Sequence, residues 1–393
     1  MSATLSLPQP GMPQRSIAAT PGRLPALFVA SDFCRRPGFG RNHPLSIPRV
    51  SAVLELCAGL GWLAGDESRV SRTATVAELT TFHDAGYVEA LRQSDAAGSV
   101  TPEVRERHGF GNFENPLFHG VFERAATAVG GSLLAAELAL EGRAVFHPAG
   151  GTHHGRRDRA SGFCFFNDPV FAVRRLLERG IDRVLYVDLD AHHGDGVQDA
   201  FLDEPRVRFA SIHEQGRWPH SGAADDFGHG YACNLPVPSG FNDSELEFLV
   251  DTVLLPLADA FRPEAVVVTC GTDSLAGDPL SGMALSNVAL WDAVERVIGA
   301  RGPAVVLGGG GYNPWTLARC WTGLWGRLSG RPIPEVLPAP AQLVLRSLEC
   351  DLVDDDDVDE SWFATLADAP RPGEVRAEVK LLASQGRTLH GLA

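Results

Sequence analysis

The sequence predicts an α/β protein: a single domain in which a mainly parallel central β-sheet is flanked by helices, with an active site at the carboxyl ends of the strands. Two observations support this fold class. Short apolar segments alternate with helical patterns from about residue 144 to residue 307, an order typical of right-handed βαβ units. Four of these strands also end in polar or glycine-rich sequence, and open parallel sheets bind ligands outside the carboxyl ends of their strands.

The composition is typical of a globular protein with a large core, and it excludes several classes of function. The 393 residues are 44% hydrophobic and 21% charged, and no apolar run approaches the ~20 residues of a membrane span. The N-terminus lacks the apolar region of a signal peptide, so a cytoplasmic location is expected. The formal net charge of −15 argues against direct binding to nucleic acid and favours a cationic substrate.

Two residue types add further constraints. The 7 cysteines include no CxxC pair, which indicates reduced thiols rather than disulfides or a cysteine-type zinc site. Lys380 is the only lysine, and every other basic side chain is arginine. This bias is typical of GC-rich genomes and suggests a bacterial protein.

The N-terminal part of the chain is expected to be structural. Residues 1–24 carry repeated Pro and Gly without periodicity and are predicted to form a flexible leader. A first strand is predicted at 26–30, where the residues are apolar. A Pro-punctuated loop then leads Arg49 into a helix at about 51–59, and an Ala- and Leu-rich pattern predicts a longer helix at 116–141.

A short apolar strand at 144–146 is followed by the first of the polar segments that come directly after strands of the sheet. His153 and His154 come after a Gly pair in the sequence PAGGTHHG. Glycine lets the backbone approach a ligand closely, so the histidines can face a cleft. An isolated HH pair is more often structural, and a functional role for this pair is supported only by the polar segments after the later strands. Helical spacing then predicts a helix at 169–179.

The central strand is the apolar, β-branched segment 184–187, and its polar continuation is the strongest sign of chemistry. Asp188, Asp190 and His192 follow at intervals of two residues. Because residues two apart in an extended chain point to the same side, these side chains can converge on one point. Two carboxylates and an imidazole that converge indicate a metal site, although a polar loop would also explain an isolated DxDxH.

The remaining elements continue the alternation of strands and helices, and two of the strands are followed by further polar or glycine-rich segments. Strands are predicted at 207–211, 265–270 and 304–307, and helices at 244–261 and 286–298. The segment 212–236 is expected to be a long loop, of the kind that often builds sites. Asp273 and Asp278 follow the second of these strands, and four glycines before Tyr312 follow the third. Beyond Trp325 the chain becomes Pro-rich and then acidic, a pattern typical of solvated linkers.

The motifs after the strands resemble those of the histone deacetylase family, which implies an arginase/deacetylase-like fold over about residues 25–331. The matching motifs are GGTHHG, GFCFFND, DLDAHHGDG, GDP and GGGGY. The resemblance implies a zinc-dependent deacetylase domain at 25–335, followed by a C-terminal extension at 336–393 that packs on it. The catalytic residues it implies are His153, His154, Asp188, Asp195 and Tyr312, and the ligands of one catalytic Zn²⁺ are Asp190, His192 and Asp278.

The resemblance also implies residues outside the reacting centre. The substrate channel would be formed by Glu114, Phe163, Trp218 and Leu285, and Arg49 would lie in an acetate-release channel. A structural K⁺ or Na⁺ would be held by Asp188, Asp190, His192, Ser211 and Ile212. Two departures from the family pattern affect the channel: Glu114 stands where class I relatives have Asp, and GRWPHSG replaces the usual FPGTG.

The activity implied is removal of acetyl or longer acyl groups from lysine side chains of proteins or peptides, by metal-activated water with a His–Asp dyad. Three alternatives are weighed. An acetylpolyamine amidohydrolase shares the same chemistry and stays open. A two-metal ureohydrolase would need a second set of carboxylates, and a non-catalytic acyl-lysine sensor would have lost a ligand or Tyr312. Homo-oligomerisation is left open.

Overall fold

The computed structural model describes residues 24–36, 38–63, 65–299 and 301–392, so the predicted leader lies outside the described residues except for Leu24. The strands are β1 (Leu27–Ala30), β2 (Ser68–Val70), β3 (Ala144–His147), β4 (Val184–Asp188), β5 (Val207–Glu214), β6 (Ala232–Val237), β7 (Ala265–Thr269) and β8 (Ala304–Leu307). They form one parallel sheet with the order β2-β1-β3-β8-β7-β4-β5-β6. The predicted fold class is confirmed.

Helices cover both faces of this sheet. They are α1 (Val50–Gly59), α2 (Val76–Leu79), α3 (Ala85–Ala97), α4 (Pro102–His108), α5 (Val121–Ala139), α6 (Asp168–Glu178), α7 (Asp195–Ala200), α8 (Asp243–Leu249), α9 (Leu255–Phe261), α10 (Asn287–Ile298), α11 (Pro314–Leu328), α12 (Ala339–Arg346) and α13 (Ala377–Leu389). No helix in the described ranges is both long and apolar enough to cross a bilayer.

The sheet separates two hydrophobic cores, and its strands contribute to both. In β4, Leu185 and Val187 pack into one core, whereas Val184 and Tyr186 pack into the other. Side chains of a strand point alternately to opposite faces, so a strand covered on both sides must be apolar at every position. This requirement explains the continuous apolar runs of the central strands.

The register of the central strands aligns their carboxyl ends. Asp188 of β4 is level with Thr269 of β7, and Thr269 is level with Leu307 of β8. Leu307 is in turn level with His147 of β3. The loops that leave β3, β8, β7 and β4 therefore start side by side at one edge of the sheet.

Two elements differ from those predicted because of proline. The expected loop at 212–236 instead ends in β6, whose Pro236 lies in the edge strand of the sheet. An edge strand tolerates proline because one side of its backbone is unpaired. The single helix expected at 244–261 contains a wider turn, Val250–Leu254, directly before α9. Pro256 lacks the N–H needed to continue the regular ladder.

The segment after α11 returns to the body of the protein. Trp362 is buried and its ring stacks near Trp315 of α11, with 6.2 Å between the ring centroids. Leu366 is fully buried in the same core, and α13 packs against β6. The C-terminal segment thus covers the edge strand of the sheet.

Candidate active site

His153 and His154 lie side by side in the loop after β3, with 3.9 Å between their ring centroids. Nδ1 of His153 donates to the Asp188 carboxylate at 2.8 Å. Nδ1 of His154 donates to the Asp195 carboxylate at the same distance. Each carboxylate fixes the orientation of its ring and leaves Nε2 for chemistry.

The surroundings of the two histidines drive their pKa values in opposite directions. Burial and the neighbouring charge of His153 lower the pKa of His154 to about 3. Burial also acts against a charge on His153, but the carboxylates of Asp188 and Asp190 outweigh it and raise the pKa of His153 to about 9. At neutral pH the pair therefore consists of a base, His154, and a cation, His153.

Asp190, His192 and Asp273 bring three ligand atoms within 4.8 Å of one another, and all three side chains are buried. Nδ1 of His192 lies 2.9 Å from an oxygen of Asp273. Cβ atoms at Gly271 and Gly310 would collide with the carboxylates of Asp190 and Asp273, so glycine in both loops makes room for these side chains.

This donor set fits a divalent cation. Burial and the charge of Asp190 raise the pKa of Asp273, because two carboxylates are confined in a region of low dielectric. A cation between them would offset that repulsion. Two carboxylates and one imidazole suit Zn²⁺ and also Fe²⁺.

Asp278, the third ligand that the resemblance predicts, is buried but is not one of the three residues of this cluster, and its role as a ligand stays a prediction. Its carboxylate accepts hydrogen bonds from the backbone N–H groups of Tyr312, at 2.7 Å, and of Leu280, at 2.9 Å. Asp278 thus contacts the Tyr312 loop with one oxygen and its own loop with the other. Asp273, which is closer to the end of β7, is the residue of this loop that lies in the cluster with Asp190 and His192.

Tyr312 follows β8 and lies between the metal cluster and one aromatic wall. Its ring centroid is 6.4 Å from that of His192 and 6.0 Å from that of Phe163. Burial and the charges of Asp273 and Asp190 raise the pKa of Tyr312 well above its usual value of 10. Tyr312 is therefore a neutral phenol at neutral pH and can donate a hydrogen bond.

Two aromatic rings contact the reacting groups: Phe163 lies beside Tyr312, and Trp218 lies beside His154. The Trp218 ring packs edge-on against His154 with a centroid separation of 4.6 Å, and Trp218 is 36% exposed. A Cβ atom at Gly162 would collide with both Trp218 and His154. Glycine there lets the turn that carries Phe163 pass close to the opposite wall.

The other two predicted channel residues differ in their placement. Glu114 is half-buried, and its Oε1 accepts a hydrogen bond from the backbone N–H of Gly162 at 2.6 Å. Leu285 is buried and packs in the core, and its place at the channel mouth stays a prediction. Its backbone N–H donates to the Ser274 carbonyl, so Leu285 belongs to the support of the Asp273 loop.

Arg49 lines a cavity of about 240 Å³. Its guanidinium donates to the Gly309 carbonyl and lies over the Trp321 ring at 5.2 Å from the centroid. Its Nε atom is buried without a hydrogen-bond partner among the described residues. The wall of the same cavity includes Thr152 and Phe163. A guanidinium with an unsatisfied Nε favours an anion in this cavity.

The residues predicted to bind a monovalent cation lie together. Asp188 of β4 is level with Ser211 of β5, and Ile212 follows in the same strand. Oγ of Ser211 lies 2.9 Å from Nδ1 of His213. The cation itself stays a prediction.

Sequence reasoning gave no role to two polar residues that contact the predicted site. Arg156 pairs with the Asp195 oxygen that does not bind His154, and Asp168 binds the loop that carries the histidines. Both residues flank motifs that were recognised: Arg156 follows the HH pair, and Asp168 ends GFCFFND. Their positions beside the motifs were the available signal.

Comparisons with known proteins agree with this geometry. A family model described as "Histone deacetylase domain" matches residues 43–328. Histone deacetylase 8 of Xenopus laevis is 37% identical over 277 residues, which cover 68% of this chain and 84% of the relative. The acetoin utilization protein AcuC of Bacillus subtilis is 32% identical over 321 residues, 78% of this chain and 82% of the relative.

Solved structures give the same result. A crystal structure of a histone deacetylase homolog from Aquifex aeolicus has a TM-score of 0.89 and 38% identity, and it covers 93% of this chain and 100% of its own. A homolog in complex with SAHA has a TM-score of 0.88, the same identity and the same coverage.

Proposed function

The chain belongs to the histone deacetylase family and is a deacetylase of the hydrolase class, and we propose that it removes acetyl or longer acyl groups from lysine side chains of peptides and proteins. One observation carries this proposal. Asp190, His192 and Asp273 converge close to a neutral base, His154, and a neutral phenol, Tyr312. Amide hydrolysis needs these three functions together.

Asp190, His192 and Asp278 are the predicted ligands of one Zn²⁺, and Asp273 lies in the cluster with the first two. When bound, such an ion supplies Lewis-acid chemistry, polarising a carbonyl and making a water molecule more acidic. We propose further that Asp188, Asp190, His192, Ser211 and Ile212 hold a structural K⁺ or Na⁺.

His154 is proposed to move the protons of the reaction. Its Nδ1 is occupied by Asp195, so Nε2 takes a proton from water as the new C–O bond forms. The same Nε2 then protonates the lysine nitrogen as the C–N bond breaks, which gives a carboxylic acid and an amine. Proton transfer from the acid to the amine then leaves a carboxylate and an ammonium group. His153 keeps its proton beside Asp188 and stabilises negative charge.

Tyr312 is proposed to stabilise the oxyanion that develops on the substrate carbonyl. Its high pKa keeps the hydroxyl protonated, and a donor aimed at developing charge acts most strongly in a buried site. Asp188 and Asp195 then act as the groups that orient the two histidines.

The substrate is proposed to enter between Phe163 and Trp218, whose rings suit a slim aliphatic stem. The product carboxylate would move towards Arg49 in the cavity that it lines, because that guanidinium has an unsatisfied Nε. A homolog with a TM-score of 0.88 forms a complex with SAHA, and we expect SAHA to bind this protein as well.

Acetylpolyamines are the second candidate substrate, favoured by the formal net charge of −15. A polyamine has the same stem and carries a distal cation in place of a peptide backbone. The acidic protein would attract that cation over a distance.

A substrate panel tests the proposal. The zinc-loaded protein is assayed for kcat/KM on acetyl-lysine peptides, longer acyl-lysine peptides, N-acetylputrescine and acetylspermidine. We expect the highest kcat/KM on an acyl-lysine peptide. A kcat/KM for acetylpolyamines far above that for every peptide would show that the second candidate is correct.

A further inference from the structure

We propose that His43 and Glu114 form a brace that holds the Gly162–Phe163 turn, and that Glu114 acts mainly through this turn rather than by contacting substrate. This inference rests on the proposed function, since it concerns the channel wall Phe163. The brace consists of His43, Glu114, Gly162 and Phe163, each of which contacts the next, and Phe163 contacts His43.

His43 is the inner part of the brace. It is 4% exposed, and its Nδ1 accepts a hydrogen bond from Leu45 N at 3.0 Å. The proton must therefore be on Nε2, which donates to the Glu114 carbonyl at 3.2 Å. The ring stacks on Phe39 with a centroid distance of 4.4 Å and meets the Phe163 ring edge-on at 4.6 Å. His43 thus fixes the Glu114 backbone and one face of the channel wall together.

Glu114 connects His43 to the turn. While its carbonyl accepts from His43, its Oε1 accepts from Gly162 N at 2.6 Å. Hydrogen bonds to a carboxylate are stronger than those between neutral groups. The side chain is half-buried, and this bond turns it towards the protein.

The turn needs such support because of its backbone. Ser161 and Cys164 pair as an antiparallel bridge, and the two residues between them have φ of 55° for Gly162 and 66° for Phe163. Positive φ at both central positions is the pattern of a type I′ turn, which favours Gly, Asn and Asp. A phenylalanine in this conformation persists only where its surroundings impose it. His43 and Glu114 impose it here.

Removal of the brace should loosen substrate binding more than it slows the reaction. Phe163 would hold the aliphatic stem, whereas the reacting groups His154 and Tyr312 are fixed by Asp195 and by Asp278. A carboxylate that binds substrate directly would behave differently, because its charge would matter as well as its hydrogen-bonding oxygen.

Two substitutions at Glu114 separate these roles. Glu114→Gln keeps an oxygen that can accept from Gly162 N but removes the charge, and Glu114→Ala removes both. His43→Phe keeps a flat ring and removes the donor to the Glu114 carbonyl. Glu106→Ala, at an exposed position of α4, is the control. For each zinc-loaded variant, kcat and KM are measured on an acetyl-lysine peptide, together with thermal unfolding and hydrogen exchange of the 161–164 segment.

We expect Glu114→Ala to raise KM by roughly 10-fold, the scale of a lost hydrogen bond to a charged group, with a smaller change in kcat. Exchange at Gly162 should become faster in Glu114→Ala and His43→Phe. Glu114→Gln should stay within about 2-fold of the wild type in KM and keep Gly162 protected.

Two results would overturn the brace. One is a rise in KM in Glu114→Gln as large as that in Glu114→Ala while the Gly162 N–H stays protected from exchange. This result would show that the charge of Glu114 acts on the substrate. The other is unchanged exchange and KM in Glu114→Ala. A wild type without activity on any acyl-lysine substrate would refute the proposed function, and the exchange of Gly162 would still decide on the brace.

Discussion

At the scale of single residues, the proposed chemistry depends on protonation states that burial and neighbouring charges set. Tyr312 remains protonated because burial and two adjacent carboxylates oppose its ionisation. His154 remains neutral because burial and a charged neighbour oppose its protonation. At neutral pH a hydrogen-bond donor, Tyr312, and a base, His154, therefore lie near the same cluster of potential metal ligands.

Tyr312→Phe removes only the hydroxyl group. Because the donor is needed chiefly as charge develops on the substrate, we expect kcat on an acetyl-lysine peptide to fall by about 10² or more, with KM and bound zinc little changed. Steady-state kinetics and elemental analysis provide the measurement. Wild-type kcat in this variant would exclude Tyr312 as the oxyanion donor.

At the scale of elements, the loop after β3 is held by the first residue of α6. Asp168 is fully buried and accepts hydrogen bonds from Gly151 N at 3.1 Å, from Thr152 N at 2.8 Å and from Ser132 Oγ at 2.5 Å. Asn167 donates from its side chain to the carbonyl of His153. The start of one helix therefore fixes the loop that presents both histidines.

Asp168→Ala should destabilise the protein strongly. It leaves several buried donors without an acceptor, each of which costs about 1–3 kcal/mol. We expect the free energy of unfolding in urea to fall by at least about 3 kcal/mol on this basis. Asp225→Ala, at an exposed position, should lie near the wild type. Equal stability of the two variants would show that Asp168 does not support the loop.

At the scale of the whole molecule, we propose that residues 336–393 form an extension that stabilises the deacetylase domain at 25–335. Arg319 of α11 has no exposed surface and pairs with Asp368 at 2.6 Å. It also donates to the Thr365 carbonyl at 2.7 Å. Because α11 follows the Tyr312 loop directly, the extension supports the helix that begins at the active site.

Asp368→Ala tests this support. It would leave the buried Arg319 charge unpaired, and removal of one partner of a buried pair typically costs 3–5 kcal/mol, so we expect a loss of about that size. Urea unfolding followed by circular dichroism measures it, with Asp356→Ala in the exposed acidic run as the control. A loss no larger than that of the control would mean that the extension contributes little.

The sequence predicts the sheet and the polar segments at the strand ends, because both follow from the pattern of apolar and polar residues. A buried strand needs apolar residues throughout, and polar residues at its end must face a site or solvent. The place of Asp273 in the cluster has no such basis, since Asp273 lies in an irregular loop without a repeat. The contacts of Leu285 and Arg319 were equally inaccessible, because each depends on packing between segments distant in sequence.

The most direct test of the proposed metal-dependent deacetylation is Asp190→Asn, since Asp190 belongs both to the predicted ligand set and to the cluster with His192 and Asp273. This variant and Asp225→Ala, a control at an exposed position, are loaded with zinc, and the zinc-to-protein ratio is measured beside acetate release from an acetyl-lysine peptide. We expect Asp190→Asn to lose both bound zinc and activity, and the control to keep one zinc per chain and the wild-type rate. Full zinc binding and acetate release by Asp190→Asn would contradict the proposed centre.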